Sequence, residues 1–170
     1  MDRRPAQPPT EAQLRLIEQT YAAFAEAPRP GRDEITSHRC SECDGIRDQF
    51  AKYSVRDVPK ELIGFENAAL PLMTPKALRY FMPRFVDFSI RPDFDDSVVI
   101  DFLLYHLGPE KMREPYWVAR FGEFSDRERR AVADYIASRK TWPGGGYDGG
   151  YHDQFFDRAE QIWGVGTPVV

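Results

Sequence analysis

The segment "HRCSEC", His38 to Cys43, holds both cysteines of the chain and one of its three histidines. Thiolate and imidazole are ligands that zinc takes up in a tetrahedron, and a Cys-x-x-Cys turn presents two sulfurs to one ion. His38, Cys40 and Cys43 are therefore candidate zinc ligands. A fourth has to come from elsewhere: Asp44, His106 and His152 are candidates, or a water completes an open position. In that open case zinc would acidify its bound water, with Glu42, or Asp153 from a later loop, as the acid–base group. No second Cys-x2-Cys or His-x3-His pair accompanies the segment.

Two other readings of the same six residues stay open. A cysteine at a helix N-terminus has its thiolate favoured by the dipole, as in dithiol oxidoreductases. Those enzymes set the motif in a βαβ context, and no such pattern precedes it here. The third reading is structural. Ser41 with Asp44 resembles a capping box, which puts Cys43 at the second helical position and Cys40 just before the cap. Cys43, Ile46, Phe50 and Tyr53 then fall at i, i+3, i+7 and i+10, the stripe of a helix facing a core.

A second anomaly is "WPGGGYDGGYHD", Trp142 to Asp153, with five glycines between Gly144 and Gly150. It predicts a flexible loop over 143–150. Such a loop presents Tyr147, Asp148, Tyr151 and His152 as recognition side chains, or serves only as a tether. It lacks the Gly-Lys-Ser/Thr ending of a P-loop. His106, between Asp101 and Glu110, could join an acid–base pair, or simply sit near a helix C-terminus. The chain carries no G-x-S-x-G and no H-E-x-x-H.

The elements that must position these groups read as helices. Residues 1–9, polar and proline-rich, form a disordered leader. Thr10 caps a helix to about Ala27, with Leu14, Ile17, Tyr21 and Phe24 on one face. A second helix starts near Ser41, and "VPKELIGFENAAL" adds a short one. Thr74-Pro75 opens a helix bearing Leu78, Phe81, Met82, Phe85 and Val86, which Pro83 should kink. Asp95 to Leu107 is apolar nearly all round and reads as a buried helix, although "SVVI" leaves a strand open. Ser125 and Glu128 form a capping box ahead of Ala131, Val132, Tyr135 and Ile136. A last helix runs from about Tyr151 to Trp163. The expectation is an all-α, single-domain bundle of about five to seven helices over 10–170, with a kinked central helix.

Composition narrows the function classes. Of 170 residues, 42% are hydrophobic, which supports a buried core without metal or disulfide help. Twenty-three Lys and Arg against 27 Asp and Glu leave a net charge of −4, which disfavours nucleic acid as a partner. The N-terminus has no apolar signal core, and "VVIDFLLYHL" is too short and too polar to span a bilayer. A cytoplasmic protein without a membrane partner is expected.

Three stretches in order, "HRCSEC", "ALPLMTPKALRYFMPRF" and "FGEFSDRERRAVADYIAS", resemble the DUF6714 type, a family of small bacterial proteins of unknown function. The resemblance covers roughly His38 to Ser138 and is most specific over Thr74 to Pro83. Lys76 departs from it, standing where the family pattern has an acid. The resemblance implies a helical fold and a bacterial cytoplasmic origin, and it brings no activity or cofactor. It draws attention to Arg79, Tyr80 and Pro83 as the wall of a groove. Taken together, the sequence points first to a non-enzymatic, acidic domain that binds a protein partner, in the manner of an immunity protein or inhibitor. Arg79, Tyr80, Tyr147, Asp148, Tyr151 and His152 are its candidate contacts. The alternative is a zinc-binding protein or zinc-dependent enzyme built on "HRCSEC".

Overall fold

The computed structural model describes residues 8–65, 69–90, 97–108, 115–141 and 153–164. Helix α1, Glu11–Ala23, begins on a reciprocal capping box. Thr10 Oγ1 accepts from the Gln13 amide at 3.3 Å, while Gln13 Oε1 accepts from the Thr10 amide at 2.8 Å. Two helix-start donors that would otherwise lack partners are thereby satisfied. Ile17, Tyr21 and Phe24 are buried as their period predicts, but Leu14 is 43% exposed. The helix also stops at Ala23 rather than Ala27, and a turn carries the chain onward.

A 3-10 turn at Arg32–Glu34 leads to α2, Ser41–Phe50. The stretch read as one short helix is two, α3 at Lys60–Phe65 and α4 at Ala69–Leu72. Helix α5, Pro75–Ile90, starts as expected: Thr74 Oγ1 accepts from the Ala77 amide at 3.2 Å. Proline at its first position gives up an N–H that no carbonyl needed. Pro83 lies inside α5 without ending it, at the cost of the bond to the Arg79 carbonyl. Helix α6, Ser97–Leu107, removes the strand alternative for "SVVI". Then come α7, Pro115–Phe121, α8, Asp126–Thr141, and α9, Asp153–Trp163.

The fold is all-α, with nine α-helices among the described residues against the five to seven expected. The excess over seven comes from α4, where one expected short helix is two, and from α7, both too short to show a helical period. The expected loop at 143–150 and most of the expected leader lie outside the described residues.

Five helices close a ring of neighbours: α1 packs on α5, α5 on α6, α6 on α9, α9 on α8, and α8 back on α1. The aromatic rings fill the middle. Phe121 and Trp163 meet edge to face at 4.9 Å, as do Phe50 and Phe81 at 5.2 Å. Polar pins fix the helices against one another. The Arg79 Nε–H donates to both carboxylate oxygens of Glu128, at 2.9 and 3.0 Å, tying α5 to α8. Glu128 also closes the capping box at the start of α8, accepting from the Ser125 amide at 2.7 Å. The Trp163 indole donates to the Leu107 carbonyl at 2.7 Å and joins α9 to the end of α6. Arg120, buried on α7, donates to the Leu70 and Met73 carbonyls, both at 2.7 Å, and so closes off the C-terminal end of α4. No helix among the described residues is long and apolar enough to cross a membrane.

Candidate metal centre

The segment that carries His38 is moored at both ends before it reaches α2. Thr36 pairs with Met73 in an isolated antiparallel bridge, and the Thr74 amide donates to the Ile35 carbonyl at 2.9 Å. Arg47, in the last turn of α2 and only 7% exposed, reaches back under the segment. One terminal nitrogen donates to Thr36 Oγ1 at 2.7 Å, the Thr36 carbonyl at 3.3 Å and the His38 carbonyl at 3.0 Å. The other holds Asp44. Arg47 and Thr36 were not singled out in the sequence, because their role needs a return of the chain that no local pattern encodes.

Cys40 is the N-cap of α2, one residue earlier than the Ser41 cap expected, so Cys43 is the third helical residue rather than the second. The reason is backbone geometry. Cys40 is extended (φ −156°, ψ 167°), which swings Sγ over the first turn, where it accepts from the Cys43 amide at 3.4 Å. Ser41 is left exposed. The core stripe holds all the same: Cys43, Ile46 and Phe50 are fully buried, and Tyr53 packs at the margin.

His38, Cys40 and Cys43 come together. Their ligand atoms all lie within 4.8 Å of one another, and Cys43 Sγ is 3.9 Å from His38 Nδ1. An ion with tetrahedral bonds of about 2.0–2.3 Å keeps its ligand atoms about 3.5–3.8 Å apart, so the group needs only a small contraction to close on zinc. The donors are graded in exposure, from exposed His38 through half-buried Cys40 to buried Cys43. Both cysteines are free thiols. The Cys43 amide, followed by His38, brings the Cys40 thiol down to about 7. Burial, followed by the neighbouring Cys40, pushes the Cys43 thiol up. A soft cation would reverse the second effect by stabilising both thiolates at once.

The other residues named from the sequence fall elsewhere. Asp44 is held by Arg47 and does not join the group. His106 is buried on α6 against Trp117, with ring centroids 5.4 Å apart, and lies outside the group. Burial, followed by the charge of Arg120, pushes its imidazole down to about 3. Glu42 is exposed on the first turn of α2, while Asp153 begins α9 with a buried, unpartnered Oδ1 and is not in the group. His152, Tyr147, Asp148 and Tyr151 lie outside the described residues, as does Glu110.

Arg79 is turned inward to Glu128, and the Tyr80 hydroxyl accepts from the Val55 amide at 3.2 Å. Tyr80 and Pro83 do line a shallow cleft of about 380 Å³ together with Tyr21, Phe24, Val55 and Arg56. A polar cleft of about 470 Å³ adjoins the ligand segment, lined by Arg32, Asp33, Ser37, Arg39, Asp44 and Arg47. Ser37 and Arg39 flank His38, so water reaches this end of the molecule.

The fold and site together define a small all-α domain with two sulfurs and one imidazole nitrogen gathered within 4.8 Å at the start of a helix. No family model, no curated protein and no solved structure matches the chain.

Proposed function

We propose that this chain binds a soft divalent metal ion, zinc foremost, through His38 Nδ1, Cys40 Sγ and Cys43 Sγ, with the fourth position left to water or a ligand. The observation that carries the reading is the convergence of those three atoms within 4.8 Å on a segment moored by Arg47 and by the Thr36–Met73 bridge. A prearranged donor set loses little freedom on binding, and thiolate with imidazole suits zinc better than magnesium or calcium. Cobalt(II) titration of the reduced chain tests it. The expected result is one equivalent bound, with visible absorption of tetrahedral intensity, sulfur-to-cobalt charge transfer in the near ultraviolet, and displacement by zinc. Absence of both bands, with no zinc retained after dialysis, would end the proposal. Cys43→Ser should abolish the charge-transfer band or cut it roughly in half.

The partner-binding reading has one observation in its favour, the cleft that Tyr80 and Pro83 line with Tyr21, Phe24 and Val55. In that reading the cleft takes an apolar side chain of a protein partner. A photo-crosslinker at Ser54, on the rim, should give a discrete adduct that disappears with Val55→Glu. A smear, or an adduct that survives Val55→Glu, would remove the cleft from consideration.

A further inference from the structure

We propose that Cys40 and Cys43 close reversibly into an intrachain disulfide when the protein meets a peroxide, and that this closure empties the metal centre. The emptying rests on the metal reading above, whereas the closure stands on the thiol pair alone. The two sulfurs lie within 4.8 Å of each other in one turn of chain, and no other cysteine exists to compete. Their exposures differ in the useful direction: Cys40 is half-buried at the surface, and Cys43 is fully buried beneath it. A peroxide therefore meets Cys40 first, and the oxidised sulfur has Cys43 as its nearest thiol.

The chemistry balances in two steps. The Cys40 sulfur attacks one oxygen of hydrogen peroxide; an S–O bond forms, the O–O bond breaks, and the thiol proton leaves with the departing oxygen as water. The Cys43 sulfur then attacks the Cys40 sulfenic acid. An S–S bond forms, the S–O bond breaks, and hydroxide takes the Cys43 proton as a second water. Two electrons pass from the sulfur pair to the peroxide, and a small dithiol returns them by exchange. Forming the bond requires the sulfurs to approach to about 2.05 Å, a movement assigned to rotation of the two cysteine side chains about their Cα–Cβ bonds. The rest of α2 is held independently, by Ile46 and Phe50 in the core and by Arg47 on Thr36, so the fold should outlast the oxidation. A disulfide has no thiolate charge to offer a cation, which leaves His38 alone and the metal without a site.

The test uses the full chain, reduced and metal-free or loaded with one equivalent of zinc, exposed to a few equivalents of hydrogen peroxide. Trypsin releases Cys40–Arg47 as one peptide carrying both sulfurs. Its mass should fall by two hydrogen atoms, titratable thiols should drop from two to none, and dithiothreitol should restore both. Zinc release, read with a chromophoric chelator, should track disulfide formation. Cys43→Ser should stop at a sulfenic acid on Cys40 that dimedone traps, and under the same exposure the Cys43 thiol of Cys40→Ser should stay unmodified. Sulfinic acid on Cys40 beside an intact Cys43 thiol, or a disulfide between chains, would overturn the proposal. Zinc retained with both thiols intact would also overturn it while leaving the metal centre standing. Disulfide formation in a chain that never bound zinc would instead remove the metal reading and confine the proposal to the thiol pair.

Discussion

Replacing Arg79 by Met decides whether that residue is a surface contact or an internal anchor. The Glu128 side chain is 1% exposed and that of Arg79 is 21% exposed, so this ion pair lies on the buried side of the boundary. Removing one member of a buried pair strands the other charge and costs about 3–5 kcal/mol. Two features place this case at the lower end. Glu128 keeps its bond from the Ser125 amide at 2.7 Å, and Arg79 is open to water along one edge. Met preserves most of the apolar stem, so the expected loss is charge and hydrogen bonding rather than volume. About 3 kcal/mol is therefore expected, a large share of the roughly 5–15 kcal/mol typical of a whole domain.

The assay is urea unfolding followed by far-ultraviolet circular dichroism, with the midpoint falling and the slope unchanged. For a chain of this size the melting temperature should drop by about 6–12 °C. A cycle with Glu128→Gln and the double variant isolates the pair, and a coupling of about 2 kcal/mol is expected. A loss below about 1 kcal/mol with no coupling would refute the anchoring role. Arg79 would then behave as exposed ion pairs do, and its guanidinium would return to the list of recognition groups.

Three further outcomes follow from the packing. His106 titrates near 3 in the fold against 6.5 free. The folded chain therefore favours the neutral imidazole, and the stability this contributes is complete above pH 6.5 and lost as pH falls toward 3. By pH 4 that amounts to about 3 kcal/mol, and acid titration of His106→Leu should lack this component; an identical acid dependence would refute it. At Gly108 an added Cβ would lie 2.4 Å from the Phe155 carbonyl oxygen, so Gly108→Ala should push α9 off the end of α6 at a cost of about 2–3 kcal/mol. Loss of the Trp163–Leu107 bond should accompany it as a red shift in tryptophan fluorescence, and an unshifted, fully stable variant would contradict the close approach. Arg47→Met should release the His38 segment, lowering cobalt affinity about tenfold or more while the far-ultraviolet spectrum stays helical; unchanged affinity would show that the mooring is dispensable.

What could be read in advance follows from how local each cause is. Thr10, Thr74 with Pro75, and Ser125 with Glu128 are local start signals, and each opens a helix where the pattern places it. Helices α8 and α9 were legible from their apolar stripes. Helices α4 and α7 were not, because four and seven residues hold too little of a period to register. Their causes are distant: Arg120 ends α4 from across 50 positions of chain at Leu70. The Arg79 ion pair was hidden for the same reason, since its partner Glu128 lies 49 positions away and was already assigned to a cap.

The ligand group shows the same division within six residues. The types and spacing of His38, Cys40 and Cys43 were enough to nominate them, and the fold places their donor atoms within 4.8 Å of one another. The structural reading of Cys43 holds at the same time, because the third helical position is both a core position and one that faces the N-cap sulfur. The two roles are compatible for a physical reason. Burial raises the Cys43 thiol while an adjacent cation would lower it, so Cys43 serves as a core residue without metal and, under the proposal above, would become a ligand with it. Cys40 has no such core role. At the half-exposed cap its sulfur accepts one amide and faces water, and the core stripe does not need it. A cap of Ser or Asp would serve the helix as well or better, so the helix start alone does not call for cysteine at position 40. Cys40→Ser should accordingly leave stability within about 0.5 kcal/mol of the parent while removing both metal uptake and disulfide closure.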